Sequence, residues 1–293
     1  MRLRRTHRFA LPLAVATAAL TLTACGGDDS PEEGVQLADA GATGHTVELP
    51  PAPKVGHKTT GSYDMTISIS MDSPSVDREV PMEMDYRSKI VKVGGDGSYT
   101  AETTISDIAI VDPSGEMTDL AGVKDQFEDL GGVRYRQHFA EDGSSNPPEM
   151  VESAELTSTQ LQTAHQFVDS IASTPATYPS KPVGKGATWE ATKNVKKNGI
   201  ELSVTTEYTL VKVTGDSFKL KLTQDVPIDT TVDSDGTDVD VSGDLQGSGT
   251  ITGSLKNPLD TQVTLTEEVD MDLSADGSDS HMQMGIKMSG GAQ

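Results

Sequence analysis

The chain has 293 residues, with 45 acidic side chains against 23 basic and a formal charge of −22. That length suits one sizeable domain, and that charge repels nucleic acid and anionic headgroups, which argues against both as partners. A single cysteine rules out an internal disulfide, so the fold must rest on burial of apolar surface alone.

The N-terminus has the parts of an export signal. Arg2, Arg4, Arg5 and Arg8 make a basic start, Phe9 to Leu22 is an apolar run too short to cross a bilayer, and small residues follow. The run ends Leu22-Thr23-Ala24-Cys25, which resembles the lipobox of bacterial lipoproteins. The resemblance implies a signal peptide over 1–24, an acylated Cys25, and retention at the outer face of the cell membrane through that lipid. Removing 1–24 takes four of the 23 basic residues, leaving 19 against 45 acids, a formal −26. Residues 25–57 are rich in Gly, Pro, Ala and acid and lack apolar periodicity, so a lipidated, disordered tether is expected there. A single β-rich domain is expected over 58–289, with two related halves (about 58–140 and 185–289) joined by a helical segment.

Alternation dominates that domain. In GSYDMTISISMD, Tyr63, Met65, Ile67, Ile69 and Met71 share one face, with Asp64, Thr66, Ser68 and Ser70 on the other. Further strands are expected near 80–93, 98–110, 132–140, 187–195, 200–213, 217–226 and 237–255. Two more close the chain: Val263 to Leu273, through Leu265, Val269 and Met271, and a last one through Met282, Met284, Ile286 and Met288. Period two over such lengths predicts half-buried antiparallel strands. Two stretches have helical spacing instead. Asp119 to Leu130 aligns Leu120, Val123, Phe127 and Leu130; Thr157 to Ala172 aligns Leu161, Ala164, Val168 and Ile171 behind a Ser/Thr cluster able to cap it. The predicted class is α+β, mainly β: a curved, half-barrel-like antiparallel sheet with one or two helices on its apolar face.

Val211 to Leu220 (VKVTGDSFKL) contains Gly215-Asp216-Ser217, the tripeptide of one class of serine hydrolases. Yet 120 residues earlier stands VKVGGDGSYT, with Ile90-Val91-Lys92-Val93 parallel to Leu210-Val211-Lys212-Val213 and Gly95-Asp96 parallel to Gly215-Asp216. The chain therefore holds two divergent copies of a strand–turn–strand unit with Gly-Asp at each turn. Ser217 is followed by Phe218, Leu220 and Leu222 at strand spacing, where a nucleophile of that class opens a helix. It is read as a turn residue, no catalytic group is assigned, and the chain is not expected to be an enzyme.

Asp233, Asp235, Asp238 and Asp240 crowd one loop, but they depart from calcium-loop spacing and lack a closing glutamate, so a solvated hairpin is expected. His45, His57, His138 and His165 lack ligand-spaced neighbours. Copper(I) at the methionines is disfavoured because His281 points away from Met282. Neither metal nor cofactor is expected. Met82, Met84, Met282 and Met284 fill a core or line an adaptable apolar cavity, with Trp189 as a further lining candidate. Glu267 falls on the apolar parity of its strand; a bulge is the expected reason, and a buried carboxylate facing a ligand is the alternative.

Pro182-Val183-Gly184-Lys185-Gly186-Ala187-Thr188-Trp189 resembles a run seen in a family of uncharacterised bacterial secreted lipoproteins, a resemblance that implies no known activity. A lipobox followed by a curved sheet and helices is also similar, at the level of architecture, to the LolA- and LppX-type lipoprotein carriers, which hold acyl chains between sheet and helix. The expected function is non-catalytic binding of an apolar or lipid ligand outside the cytoplasm. The alternative is a surface interaction or envelope-structural lipoprotein with no small ligand.

Overall fold

A computed structural model describes residues 34–72, 75–111, 130–151, 156–171, 176–197, 200–234, 237–275 and 278–293. The strands are β1 (Gly34–Asp39), β2 (Thr46–Val47), β3 (Lys58–Asp72), β4 (Ser75–Val93), β5 (Tyr99–Ile110), β6 (Arg134–Phe139) and β7 (Glu149–Met150). After the helix α1 (Ser158–Ile171) come β8 (Val183–Gly184), β9 (Thr188–Lys197), β10 (Ile200–Thr214), β11 (Ser217–Ser234), β12 (Thr237–Ser254), β13 (Thr261–Ala275) and β14 (Ser278–Ala292). Twelve of them form one antiparallel sheet in the order β1-β9-β10-β11-β12-β13-β14-β3-β4-β5-β6-β7, while β2 and β8 pair on their own. The sheet is large and curved and does not close into a barrel.

Period-two sequence produces these strands, and their prolines sit where the ladder allows. Pro81 pairs with Thr66 of β3 one residue before pairing with β5 begins, and Pro227 pairs with Asp244 of β12 beyond the end of the β10 ladder. Pro227 has a sheet partner on one side only, and Pro81 stands at the end of the β5 ladder, where its carbonyl accepts from Val111 N–H (2.9 Å) and no further pairing needs its missing N–H. The even-numbered residues of β11 and β14 and the odd-numbered ones of β3, β12 and β13 make the apolar face, and curvature turns that face inward.

Four apolar clusters follow from this among the described residues, the smallest being Ile90, Tyr99 and Ala101. One lines the second half, with Trp189, Leu210, Leu220, Ile251 and Leu265 among its members. Another joins β3–β6 to the helix. The third draws on strands alone, including Val226, Leu245, Val269 and Met284. Helix α1 starts with a capping box: Gln160 N–H donates to Thr157 Oγ1 (3.3 Å), and the Thr157 amide donates back to Gln160 Oε1 (2.8 Å). It buries Ala164, Phe167 and Val168 against Met65, Met82, Ile105 and Tyr135, so a helix covers the apolar face as expected. The helix expected over Asp119 to Leu130 lies outside the described residues, apart from buried Leu130.

The internal repeat extends into the backbone. In β4–β5 the register slips between Ile90 and Lys92; in β10–β11 it slips between Leu210 and Lys212. The bulged residues are Val91 and Val211, both exposed, while Ile90 and Leu210 beside them are fully buried. The preceding strand is duplicated too. Gly56 N–H donates to Ile90 O (2.9 Å) and Ile90 N–H to His57 O (2.9 Å), just as Gly186 N–H donates to Leu210 O (2.8 Å) and Leu210 N–H to Ala187 O (2.8 Å). The turns themselves differ. Positive φ falls on Gly215 in the second, but on Gly97 rather than Gly95 in the first, where Asp96 Oδ1 accepts from the Ser98 amide at 3.1 Å. Ser217 opens β11, and its hydroxyl donates back to Thr214 O across the turn (3.0 Å).

Two boundaries need correction. Residues 34–57 belong to the folded body rather than to a tether: Val35 and Leu37 of β1 pair with Ala191 and Trp189, Thr46 and Val47 pair with β8, and Leu49 is buried. The apolar pattern of β1 is too short to stand out from its Gly- and Asp-rich surroundings, and its partner is remote in sequence. At the other end β14 runs to Ala292 rather than stopping at 289, because Gly290 and Gly291 lie close against the β3 and β13 backbones. A chain beginning at Lys58 should therefore melt at least ~5 °C lower than one beginning at Gly34, since burying Leu49 alone contributes about 1.5–3 kcal/mol. Equal melting temperatures in a thermal scan would return 34–57 to the tether.

Candidate functional site

The curvature brings β5 and β11, six places apart along the sheet, to opposite sides of one pocket of about 150 Å³. One wall is Tyr63, Met84, Tyr86, Ser88, Tyr99, Thr103 and Tyr135 from β3–β6; the other is Phe218, Ile251 and Val263 from β11–β13. Residues 176–178 span the gap between them. The Tyr178 amide donates to Asp142 O (2.7 Å) on the first wall, and Trp189 Nε1–H of the second donates to Thr177 O (2.8 Å).

Three aromatic rings reach the pocket by lying on glycines, whose missing side chains make the room. A Cβ on Gly253 would stand 2.4 Å from Phe218 Cζ, one on Gly143 2.8 Å from the Tyr178 ring, and one on Gly61 2.7 Å from the Tyr86 hydroxyl. Tyr178 then meets Phe218 edge-on at 6.1 Å, Tyr63 stacks on Tyr86 at 5.2 Å, and Tyr99 stacks on Phe139 at 4.7 Å.

Five of the six tyrosines line this pocket. Burial pushes all five phenols up from their ordinary values, so at neutral pH they are uncharged donors and acceptors. Tyr63 bonds Tyr86, Tyr135 bonds Thr103, and Ser88 Oγ and Thr103 Oγ1 are 2.7 Å apart. Tyr99 and Tyr178 are different: each is at least nine-tenths buried, and neither hydroxyl has a hydrogen-bond partner among the described residues. The pocket thus presents two open phenol groups in an aromatic box. Its chemistry is that of recognition by hydrogen bonding and ring contact.

Of the residues singled out by sequence, Met84 lines this pocket. Met82 packs in the cluster beneath α1, Met284 belongs to the strand-only cluster, and Met282 is buried opposite Met71 and Met271. Trp189 is almost wholly buried, stacked on Tyr208 at 5.5 Å. Cys25 lies outside the described residues, as do Asp235 and the side chain of Asp233. Asp238 and Asp240 are exposed on β12, and among the described residues no three His, Cys, Asp or Glu are placed to share a metal ion. The sequence did not single out the tyrosines as a site, although Tyr63, Tyr86 and Tyr99 all carry the apolar parity of their strands. Parity assigns a face, but not which faces meet.

His281 does point away from Met282. On the outer face its Nδ1 lies 2.9 Å from Asp272 Oδ1 and its Nε2 3.6 Å from Asp270 Oδ1. The bond to Asp272, then the charges of Asp270 and Asp272, raise its pKa. Replacing Asp272 with Asn should lower the His281 titration midpoint, read by the imidazole proton shifts; an unmoved midpoint would remove Asp272 as the cause.

Glu267 is corrected by the register. β13 pairs with β12 and β14 without a slip from Thr264 to Asp270, so there is no bulge and the side chain shares the inner face with Leu265 and Val269. Desolvation pushes its carboxyl up to about 7.

A curved antiparallel sheet around a hydroxyl-lined aromatic pocket is the architecture that comparison with known proteins has to match. Residues 158–259, roughly a third of the chain, match a family of unknown function, DUF6263. The matched span runs from α1 through β12 and contains the Pro182–Trp189 run. No curated protein matches. Among solved structures, an AttH candidate from Nitrosomonas europaea aligns over 86% of this chain and 99% of its own, at 7% identity and a TM-score of 0.16, too low to define a shared fold.

Proposed function

We propose that this chain is a binding protein anchored by lipid on Cys25 to the outer face of the cell membrane, and that it captures a small amphipathic ligand in the tyrosine pocket without transforming it. The observation that carries this reading is the pair of pocket-lining phenols on Tyr99 and Tyr178, whose rings are buried while their hydroxyls bond no described residue. Neither hydroxyl oxygen is sealed from solvent, so a ligand offering polar groups to both would take the place of water there. Size narrows the choice. A pocket of about 150 Å³ is far below the ~300–1,000 Å³ of sites for drug-sized ligands and close to the ~150 Å³ that holds one benzene ring. An acyl chain of membrane length exceeds it, so the ligand class becomes a single-ring or comparably small molecule with hydroxyl or carbonyl groups.

The full chain, purified in detergent, should bind phenol and catechol at millimolar concentration in ligand-observed NMR, and more tightly than benzene. Tyr99→Phe with Tyr178→Phe should abolish that preference while leaving the fold intact by circular dichroism. No binding of any of the three, or an unchanged preference in the double variant, would sink the reading.

A further inference from the structure

Away from that pocket the inner face carries a second polar feature. Thr206, Gln224, Gly247 and Glu267 are successive cross-strand partners on β10, β11, β12 and β13, making a hydrophilic row between the first and third apolar clusters. Gln224 Nε2 donates to Thr206 Oγ1 at 2.8 Å, which leaves the amide oxygen free to accept. That oxygen lies over Gly247, 2.7 Å from where a Cβ would stand, so the Gln224 amide takes up the space of the missing side chain on the strand next to Glu267. Glu267 has no hydrogen bond or ion pair among the described residues, and β13 carries it between Leu265 and Val269. No other titratable group flanks it on this face: β12 presents Leu245, Gly247 and Gly249, and β14 presents Met284, Ile286 and Met288. Lys193 on β9 and Arg78 on β4 share the face's parity but stand four and three strands away.

We propose that Glu267 anchors a second binding site on this face, which takes the ammonium end of a small organic amine. The row offers acceptors to an incoming group, a carboxylate and an amide oxygen, so it suits a donor-rich cation and disfavours an anion. A lone carboxylate is too few oxygens for calcium, which takes about six to eight, whereas an ammonium needs three acceptors at most. Leu265, Val269 and Ile286 around the carboxylate fit an alkyl body. The site is separate from the tyrosine pocket: Val263, which lines the pocket, is four residues away, roughly 13 Å along the strand.

Binding requires the ionised carboxylate, so affinity follows its ionised fraction. Because burial holds Glu267 near 7, affinity should fall roughly tenfold between about pH 8 and pH 6, over which a simple alkylamine stays protonated. The test is titration of the full chain in detergent with n-butylamine, 1-butanol and butyrate, read by melting temperature and NMR. The expected result is a saturable rise with butylammonium at about pH 8, a weaker one at pH 6, and none with the neutral or anionic analogue. Glu267→Gln should remove the response, while Tyr99→Phe with Tyr178→Phe should keep it, which separates this site from the phenol pocket. Equal responses to butanol, a response surviving in Glu267→Gln, or no saturable response at pH 8 would each overturn the proposal.

Discussion

Glu267→Gln should raise the melting temperature at pH 8 by roughly 6–12 °C and leave it nearly unchanged at pH 4. The folded state holds this carboxyl up to about 7, against 4.5 for the free side chain, and burial is the cause. A raised carboxyl pKa means that ionisation is harder in the folded chain than in the unfolded one. Below about pH 4.5 the group is protonated in both states and contributes nothing. As pH climbs towards 7 the unfolded state ionises first and gains stability relative to the fold; above 7 both are ionised and the penalty is constant. Some 2.5 pKa units at 1.36 kcal/mol each gives about 3 kcal/mol at most, and a domain of this size shifts by ~2–4 °C per kcal/mol. Glutamine has the shape of the protonated side chain and never ionises, so it removes that penalty. The pH dependence is the decisive part: a gain of equal size at both pH values would mean that the substitution acts through packing, and Glu267 would lose its standing as a half-buried, uncompensated charge.

That residue also shows where sequence reasoning reached and where it stopped. Period-two alternation located β3 to β6 and β9 to β14 because each of these strands has one wet and one dry face, and in all but the six-residue β6 the pattern repeats over ten or more residues. The same rule placed Glu267 on the dry face. A bulge was the cheaper reading only because alternation cannot show which groups flank a carboxylate across the sheet; Gly247 and the Gln224 amide lie on β12 and β11, 20 and 43 residues earlier in the chain. The tyrosine pocket was hidden for a related reason. Tyr99 and Phe218 each carry their strand's apolar parity, yet their meeting depends on how far the sheet curls, which is set cumulatively by strand twist and bulges. The bulges at Val91 and Val211 were legible as a repeat in sequence, but not as bulges. β1 escaped because six residues beside acid and glycine give too little pattern, and its stability comes from β9.

Trp189→Ala should cost about 3–5 kcal/mol and lower the melting temperature by ~10 °C or more. Trp189 is the largest fully buried side chain, stacked on Tyr208 and surrounded by the second-half cluster. It also fastens the connection between the two walls. Its indole N–H holds Thr177 O at 2.8 Å, the Thr177 backbone bonds the Tyr208 hydroxyl, and the next residue is Tyr178, whose ring closes the pocket over Gly143. Alanine at 189 therefore removes buried surface and releases the segment that carries Tyr178 together. Phenylalanine should retain the stack on Tyr208 and most of the volume, lose only the bond to Thr177, and cost about 1–2 kcal/mol. Stability is one readout, by circular dichroism because the chain has a single tryptophan; phenol binding is the other. If the connection positions Tyr178 as described, Trp189→Ala should weaken phenol binding even at temperatures where the variant stays folded, whereas Trp189→Phe should bind nearly as the parent does. Folded Trp189→Ala that binds phenol normally would show that Tyr178 is held by Asp142 and Phe218 alone, and that the second wall reaches the pocket without the tryptophan's help.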